Sequence, residues 1–268
     1  MAPTRYADLP RNVALDHHAV DAVSPLAFHA ACARYRFAAR FLPAGGSALD
    51  IGCGPGFGCR ILAEAGARSV VGADEQAEMI AHAGREVALP AVSFVAGDAF
   101  SLSLAQRFDL VTAFEVIEHV KEPARLITRC LSWAVPGGTV VFSTPNKLVH
   151  QLMGVRWPFH EREYGYSELV ALLDGIAGRE RVTVYGQNPA LMEQHQRREG
   201  RFAPVDSWPR AAARAVIPRH ILARVRRLVP RRPRPASPED PIVVAASRID
   251  RTELDLCETF VVVVTAPS

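Results

Sequence analysis

The sequence has no Cys-x-x-Cys pair, almost no lysine and no apolar run long enough to cross a bilayer. Its five cysteines, Cys32, Cys53, Cys59, Cys130 and Cys257, form neither a metal-type pair nor an even disulfide framework, so reduced thiols in a cytosolic setting are expected. Lys121 and Lys147 are the only lysines, and the preference for arginine reads as coding bias. The first residues lack the charged-then-apolar pattern of a leader. A net charge of +3 is too small to imply a nucleic-acid partner by itself. With 49% apolar and 22% charged residues over 268 positions, the composition is that of an ordinary globular protein, one large domain or one domain plus an appendage.

Residues 1–25 carry Pro3, Pro10 and Pro25 without periodicity and read as an irregular arm. Residues 26–42 space Phe28, Ala31, Tyr35, Ala38 and Phe41-Leu42 as a helix, which Pro43 and Gly45-Gly46 stop. From Ala48 onward, apolar runs at 48–51, 69–73, 92–95, 108–114 and 139–144 predict buried strands. Helical stretches at 57–66, 76–87, 123–134 and 167–177 separate them, and further strands are predicted at 181–186 and 260–265. Strands that alternate with helices pair in parallel, because each return crossover needs room for a helix.

Before the last strand lies a connection of about seventy residues, far beyond the usual length. Its stretch 210–234 holds nine arginines and no acidic residue. Residues 219–229 set Ile221, Leu222, Val225, Leu228 and Val229 on one face of an amphipathic basic helix, and 230–241 reads as an extended Pro/Arg linker. The segment is expected to be a solvated lid or a contact with an anionic membrane surface. Aromatic interleaving is nearly absent around it (Trp208), which argues against nucleic acid. The expected division is an arm and cap helix at 1–46, a core at 47–188, a basic insertion at 189–259 and a final core strand at 260–268.

The segment Ala48-Leu49-Asp50-Ile51-Gly52-Cys53-Gly54-Pro55-Gly56 runs from a strand into a helix start. Glycines there let the backbone turn sharply and approach a ligand that a Cβ would repel. Asp74 ends the second strand about twenty residues later, where a carboxylate can accept ribose hydroxyl protons. Asp98, within Gly97-Asp98-Ala99, closes the third strand and suits an adenine amino group. Either aspartate could instead be a plain turn residue. Asp50, Asp74, Asp98 and Glu115 all fall at carboxyl ends of predicted strands, where open α/β sheets bind ligands. A nicotinamide-type Gly-x-Gly-x-x-Gly loop fails at its last position, which is Phe57.

Asp50–Gly56, Asp74, Gly97-Asp98-Ala99, Phe108–Val111 and the turn Pro136-Gly137-Gly138 resemble the successive motifs of class I S-adenosylmethionine-dependent methyltransferases. Arg34-Tyr35-Arg36-Phe37, Phe114–His119 and Ser143-Thr144-Pro145-Asn146 are similar to the branch with ubiquinone-type O-methyltransferases and many glycan-cluster methyltransferases. The alternation of strands and helices predicts an α/β fold with a doubly wound, mostly parallel sheet of about seven strands, and the resemblance implies that it is Rossmann-like. The last strand would be antiparallel, with the basic helical insertion before it. It implies that Asp50, Gly52, Cys53, Gly54, Gly56, Asp74, Glu75, Asp98, Ala99 and Glu115 bind S-adenosylmethionine. It also implies methyl transfer to a hydroxyl of a small metabolite, glycan or lipid-linked acceptor. RNA 2′-O-methylation, N-methylation and a non-catalytic partner subunit stay open. The expected location is the cytoplasm, with peripheral contact at the inner membrane face as an extension.

Glu115, Glu118 and His119 follow the fourth predicted strand, and His160 with Glu163 follows the fifth. Positions 115 and 119 are four apart, so one helical turn could bring them to one face. Glu-x-x-Glu-His with a later histidine resembles the metal site of small-RNA 2′-O-methyltransferases. That resemblance implies Glu115, Glu118, His119 and His160 as ligands of Mg²⁺ or another divalent cation. His119 or His160 as a metal-free general base is a second expectation, and a hydrogen-bonded structural histidine a third. His17-His18 and His150 are expected at the surface. Cys53 and Cys59 are expected to pack near the loop.

Overall fold

The computed structural model describes residues 25–153, 157–187, 242–245 and 257–267. The chain divides into two units, Met1–Gln187 with Ile242–Ser268, and Asn188–Pro241. The second unit lies outside the described residues, as do His17-His18, the predicted helix 219–229 and the linker 230–241. No helix among the described residues is long and apolar enough to cross a membrane.

In chain order the elements are α1 (Pro25–Ala39), β1 (Ser47–Ile51), α2 (Phe57–Glu64), β2 (Ser69–Asp74), α3 (Ala77–Glu86), β3 (Val92–Ala96) and β4 (Phe108–Phe114). They continue with α4 (Pro123–Trp133), β5 (Ala134–Pro145), α5 (Lys147–Met153), α6 (Tyr166–Ala177), β6 (Val182–Gln187), β7 (Ile242–Ala245) and β8 (Thr259–Thr265). The strands form one sheet in the order β3-β2-β1-β4-β5-β8-β6-β7. The first five pair in parallel, β8 lies antiparallel between β5 and β6, and β7 is antiparallel to β6. The sheet is the doubly wound, mostly parallel one expected, with an antiparallel last strand, and it holds eight strands. Ile242–Ala245, assigned from sequence to the insertion, joins the edge of the sheet beside β6. Four residues carry no period strong enough to separate a strand from the linker before them.

Both faces of the sheet are covered, which is why its strands read as continuous apolar runs. Leu49, Ile51, Val111, Ala113, Val140, Phe142, Val262 and Val264 pack with Leu126, Ile127 and Cys130 of α4 and Leu169 and Leu173 of α6. The alternate residues Ala48, Leu110, Val141, Val261 and Val263 pack with Tyr35, Phe37 and Ala38 of α1 and Cys59 and Leu62 of α2. The predicted turn at Pro136-Gly137-Gly138 is a bulge inside β5. Ala134 faces Phe108, but Thr139 already faces Leu110, so the residues between them loop out.

Crossing from β3 at one edge to β4 beside β1 reverses the winding direction. The switch point therefore lies between β1 and β4, and open α/β sheets bind their ligands outside the carboxyl ends of the strands at such a point. Helix α5 was not foreseen from sequence. Asn146 caps it by accepting the Leu148 N–H on Oδ1 at 3.0 Å.

Candidate active site

Beyond β1, Gly52, Gly54 and Gly56 take left-handed φ values of 68°, 51° and 83° and turn the chain into α2. Gly52 and Cys53 donate their N–H groups to the Ala73 carbonyl at 2.8 and 3.1 Å. Gly54 donates its N–H to Asp74 Oδ2 at 3.0 Å, while Asp74 Oδ1 accepts from the Gln76 N–H at 2.9 Å. Asp74 therefore latches the loop and still keeps lone pairs for a ligand, since each carboxylate oxygen has two. A Cβ on Gly54 would meet no protein atom within 4 Å, so the loop backbone borders open space. Glu75 is exposed beside Asp74. Asp98 is exposed too, with Oδ1 accepting the Phe100 N–H at 2.9 Å and Oδ2 left for a partner. Ala99 is half-buried, and its carbonyl accepts from Arg129 Nε at 3.4 Å.

The expectation that Asp50 touches a ligand is corrected by its enclosure. It is 0% exposed and faces the α1 side of the sheet, beside its register partner Thr112. Oδ1 accepts from Thr112 Oγ1 at 2.7 Å and Oδ2 from the Tyr35 hydroxyl at 3.0 Å, with Cys59 Sγ 3.6 Å away. Asp50 braces the base of the loop from below. Cys53 likewise buries its thiol, which turns back to the Gly54 carbonyl at 3.8 Å, so only backbone is offered there.

Burial pushes the Asp50 carboxyl up to about 7, against the Thr112 and Tyr35 hydrogen bonds that lower it. The folded state therefore binds a proton that the unfolded state releases near pH 4. This contribution to stability is fully present below that point and falls as pH rises toward about 7. The slope is about 1.4 kcal/mol per pH unit at most. Asp50→Asn keeps a carbonyl acceptor for Thr112 but cannot ionise. The difference in unfolding free energy between the variant and the wild type should therefore grow in the variant's favour from pH 5 to 7. Parallel urea titrations at the two pH values test this; a pH-independent difference would refute it.

At the exit of β4, Glu115 holds a left-handed φ of 55°, uncommon for a residue with a side chain. Its N–H donates to the Ser143 carbonyl and hydroxyl, each at 3.2 Å, and its Oε1 accepts from Ser143 Oγ at 2.6 Å. This turn corrects the expected ligand set. Glu115 is bound to β5, and the side chains that converge are Glu118, His119 and His160, with one ligand atom of each within 4.8 Å of the others. A 3₁₀ turn at Ile117–His119 replaces the helical turn expected there. Within it Glu118 is buried and His119 exposed. The Glu118 carbonyl accepts the Glu161 and Arg162 N–H groups at 2.8 and 3.2 Å, which straps the 157–165 segment over the turn.

His119 Nδ1 lies 3.0 Å from the Phe159 carbonyl. A carbonyl can only accept, so Nδ1 carries the proton, and in the neutral ring the lone pair is on Nε2. His160 Nδ1 is 2.7 Å from Glu163 Oε1, which fixes its Nε2 in the same way. Burial holds His160 below the ordinary histidine value, with His119 and His150 adding to the effect and Glu163 opposing it. Glu118 is 0% exposed, and neither carboxylate oxygen has a hydrogen-bond partner of normal geometry. Burial and the neighbouring Glu115 charge push it well above the usual carboxylate range. His150 is not at the surface as expected. It is 8% exposed, and its Nδ1 lies 2.8 Å from Glu163 Oε1.

Three residues nearby were not singled out for a role. Arg34 is buried and donates from Nη1 to Gln187 Oε1 at 2.8 Å, and Gln187 Nε2 donates to the Ala30 carbonyl at 3.0 Å. Burial lifts the Glu258 carboxyl to about 7, with Arg34 opposing and Glu115 reinforcing the shift. The one signal for them was Arg34, the arginine before Tyr35 in a helix whose other inward residues are apolar.

The methyltransferase-domain family matches residues 26–174 of the chain. The "Probable S-adenosylmethionine-dependent methyltransferase" of Mycolicibacterium smegmatis is 34% identical over 134 residues, 49% of this chain and 51% of that protein. The ubiquinone biosynthesis O-methyltransferase of Methylococcus capsulatus is 40% identical over 108 residues, 39% of this chain and 45% of that protein. The chain thus spans about half the length of the curated relatives it matches. Among solved structures, the S-adenosylmethionine-dependent methyltransferase of Mesorhizobium loti shares the fold, with a TM-score of 0.50 and 20% identity. The match covers 87% of this chain and 97% of that one. The loop glycines, the open cradle at Gly54 and the carboxylate of Asp74 fit a sulfonium nucleoside at the switch point. The chain belongs to the methyltransferase-domain family, on the class I S-adenosylmethionine-dependent fold.

Proposed function

We propose that the protein transfers a methyl group from S-adenosylmethionine to a hydroxyl of a small acceptor, a sugar, glycolipid or related metabolite. The observation that carries this is the pinned His119, whose Nε2 lone pair stands at the exit of β4, next to the switch point. When bound, the donor would supply a sulfonium-activated methyl group that an oxygen lone pair can attack in line, with the sulfur leaving as a neutral thioether. Gly54 leaves backbone room for it, Asp74 offers lone pairs to ribose hydroxyls, and Glu75, Asp98 and Ala99 follow the carboxyl ends of the neighbouring strands β2 and β3. His119 Nε2 receives the acceptor's hydroxyl proton, with His160 beside it at a ring separation of 4.9 Å. The rest of the rate comes from alignment. Hydroxyl acceptance also accords with the name of the Methylococcus capsulatus relative. Amines, an RNA 2′-hydroxyl and a non-catalytic role remain the competing assignments.

Calorimetry should register S-adenosylmethionine and not NAD; no heat with the former would overturn the proposal. Gly54→Ala should weaken that binding about 10- to 100-fold, roughly 1.4–3 kcal/mol. Its methyl would enter the open cradle, while the left-handed backbone costs the fold only about 1–2 kcal/mol. Equal donor affinity in the variant would remove the cradle from the donor site.

A second reading, a divalent cation on Glu118, His119 and His160, is favoured by the buried Glu118 carboxylate, whose oxygens have no hydrogen-bond partner of normal geometry. A cation there would lower the acceptor hydroxyl's pKa. Loss of turnover on chelation, with recovery on adding Mg²⁺ or Mn²⁺, would favour this reading over the metal-free base. Turnover indifferent to EDTA would remove it.

A further inference from the structure

Outside the donor crevice, two imidazoles and one carboxylate converge on a single point. His150 Nδ1 and His160 Nδ1 lie 2.8 and 2.7 Å from the same oxygen, Glu163 Oε1. All three residues offer ligand atoms within 4.8 Å of one another, on half-buried to buried side chains. Their backbones are fixed independently. His150 sits on α5, where its N–H donates to the Asn146 carbonyl at 3.1 Å. His160 is held by its N–H to the Trp157 carbonyl at 3.3 Å, and Glu163 stands three residues on, directly before the buried Tyr164.

We infer that His150, His160 and Glu163 form a second cation site, for a borderline divalent ion of the Zn²⁺ class, whose occupancy silences His160. Two nitrogens and one carboxylate oxygen are the donor set such ions prefer, whereas Mg²⁺ favours oxygen alone. Metal–ligand distances of about 2.0–2.2 Å set tetrahedral donors roughly 3.4 Å apart. The two hydrogen-bonded pairs, at 2.8 and 2.7 Å, need open by only about 0.6–0.7 Å to reach that spacing, and a water can take the fourth position. No proton is lost overall. Each neutral imidazole moves its proton from Nδ1 to Nε2 as Nδ1 binds the metal, and Glu163 contributes its carboxylate. That proton on Nε2 removes the free lone pair of His160, whose ring lies 4.9 Å from that of His119. The ion therefore takes from the site its second proton acceptor, the one beside His119, and inhibits without touching the donor loop. The inhibitory half rests on the methyltransferase proposal; the binding half does not.

The test titrates wild-type protein with Co²⁺, followed by its visible absorption, and with Zn²⁺ in a methyl-transfer assay. His150→Gln should weaken Co²⁺ binding at least tenfold and abolish inhibition by micromolar Zn²⁺, with basal turnover and donor affinity unchanged. His119→Gln, which depletes the other ligand set, should keep the Co²⁺ absorption. Equal Co²⁺ affinity in wild type and His150→Gln would overturn the inference. So would absorption lost in His119→Gln but kept in His150→Gln. If His150→Gln loses donor binding, and so has not folded, Glu163→Gln carries the same expectation for Co²⁺. A protein that binds Co²⁺ as expected but transfers no methyl group would keep this site and remove the proposed activity.

Discussion

Replacing His119 by glutamine should lower kcat by about two to four orders of magnitude while leaving donor affinity within a few-fold. Glutamine approximates the reach of the imidazole and can still donate to the Phe159 carbonyl, so the 3₁₀ turn keeps its shape. What it lacks is a basic nitrogen where Nε2 stands. His119 makes no hydrogen bond to the glycine loop, which is latched instead by Ala73 and Asp74. The loss should therefore fall on turnover, and the limb of the pH–rate profile that reports the base should flatten. Single-turnover transfer of labelled methyl, paired with donor calorimetry, separates the two effects. A fall in kcat below about tenfold would remove His119 as the proton acceptor. Loss of donor affinity to the same degree would instead assign it to the donor site.

Gly58→Ala should destabilise the fold by about 3 kcal/mol or more, the upper range for overpacking a filled core. A Cβ there would lie 2.0 Å from Tyr35 Cζ. The ring has no way to yield. Its hydroxyl donates to Asp50, and its faces meet Phe57 and Phe114 edge-on at centroid distances of 5.4 and 4.8 Å. Pushing Tyr35 outward would break the Asp50 bond and leave a fully buried carboxyl short of a donor, a further cost of about 1–3 kcal/mol. Urea denaturation should show the loss as an earlier midpoint. Tyr35→Leu in the same chain should return part of it, because the two changes share one clash. A Gly58→Ala variant within about 0.5 kcal/mol of wild type would show that α1 can move away from α2.

Most of the sheet was legible because its signals are local. The runs at 48–51, 69–73 and 108–114 become β1, β2 and β4 with shifts of at most one residue at their ends. Elements that depend on a distant partner were less visible. Strand β7 exists through its pairing with β6, more than fifty residues earlier in the chain. Helix α5 depends on the cap at Asn146, a residue flagged only as part of a motif.

The residues that shape the active site divide along the same line. The glycine loop, Asp74 about one strand–helix unit later, and histidines at two strand exits were all determined by order and spacing along the chain. Folding then decided the direction of each side chain, because that depends on single dihedrals and on partners far away in sequence. One left-handed residue sends Glu115 to Ser143, 28 positions on, and out of the ligand group it was expected to join. Burial beneath the loop turns Asp50 from a ligand contact into a brace for Tyr35 and Thr112. A carbonyl 40 positions away chooses which nitrogen of His119 is free. Spacing along a chain specifies where a backbone turns, but not which buried atoms a side chain will meet there.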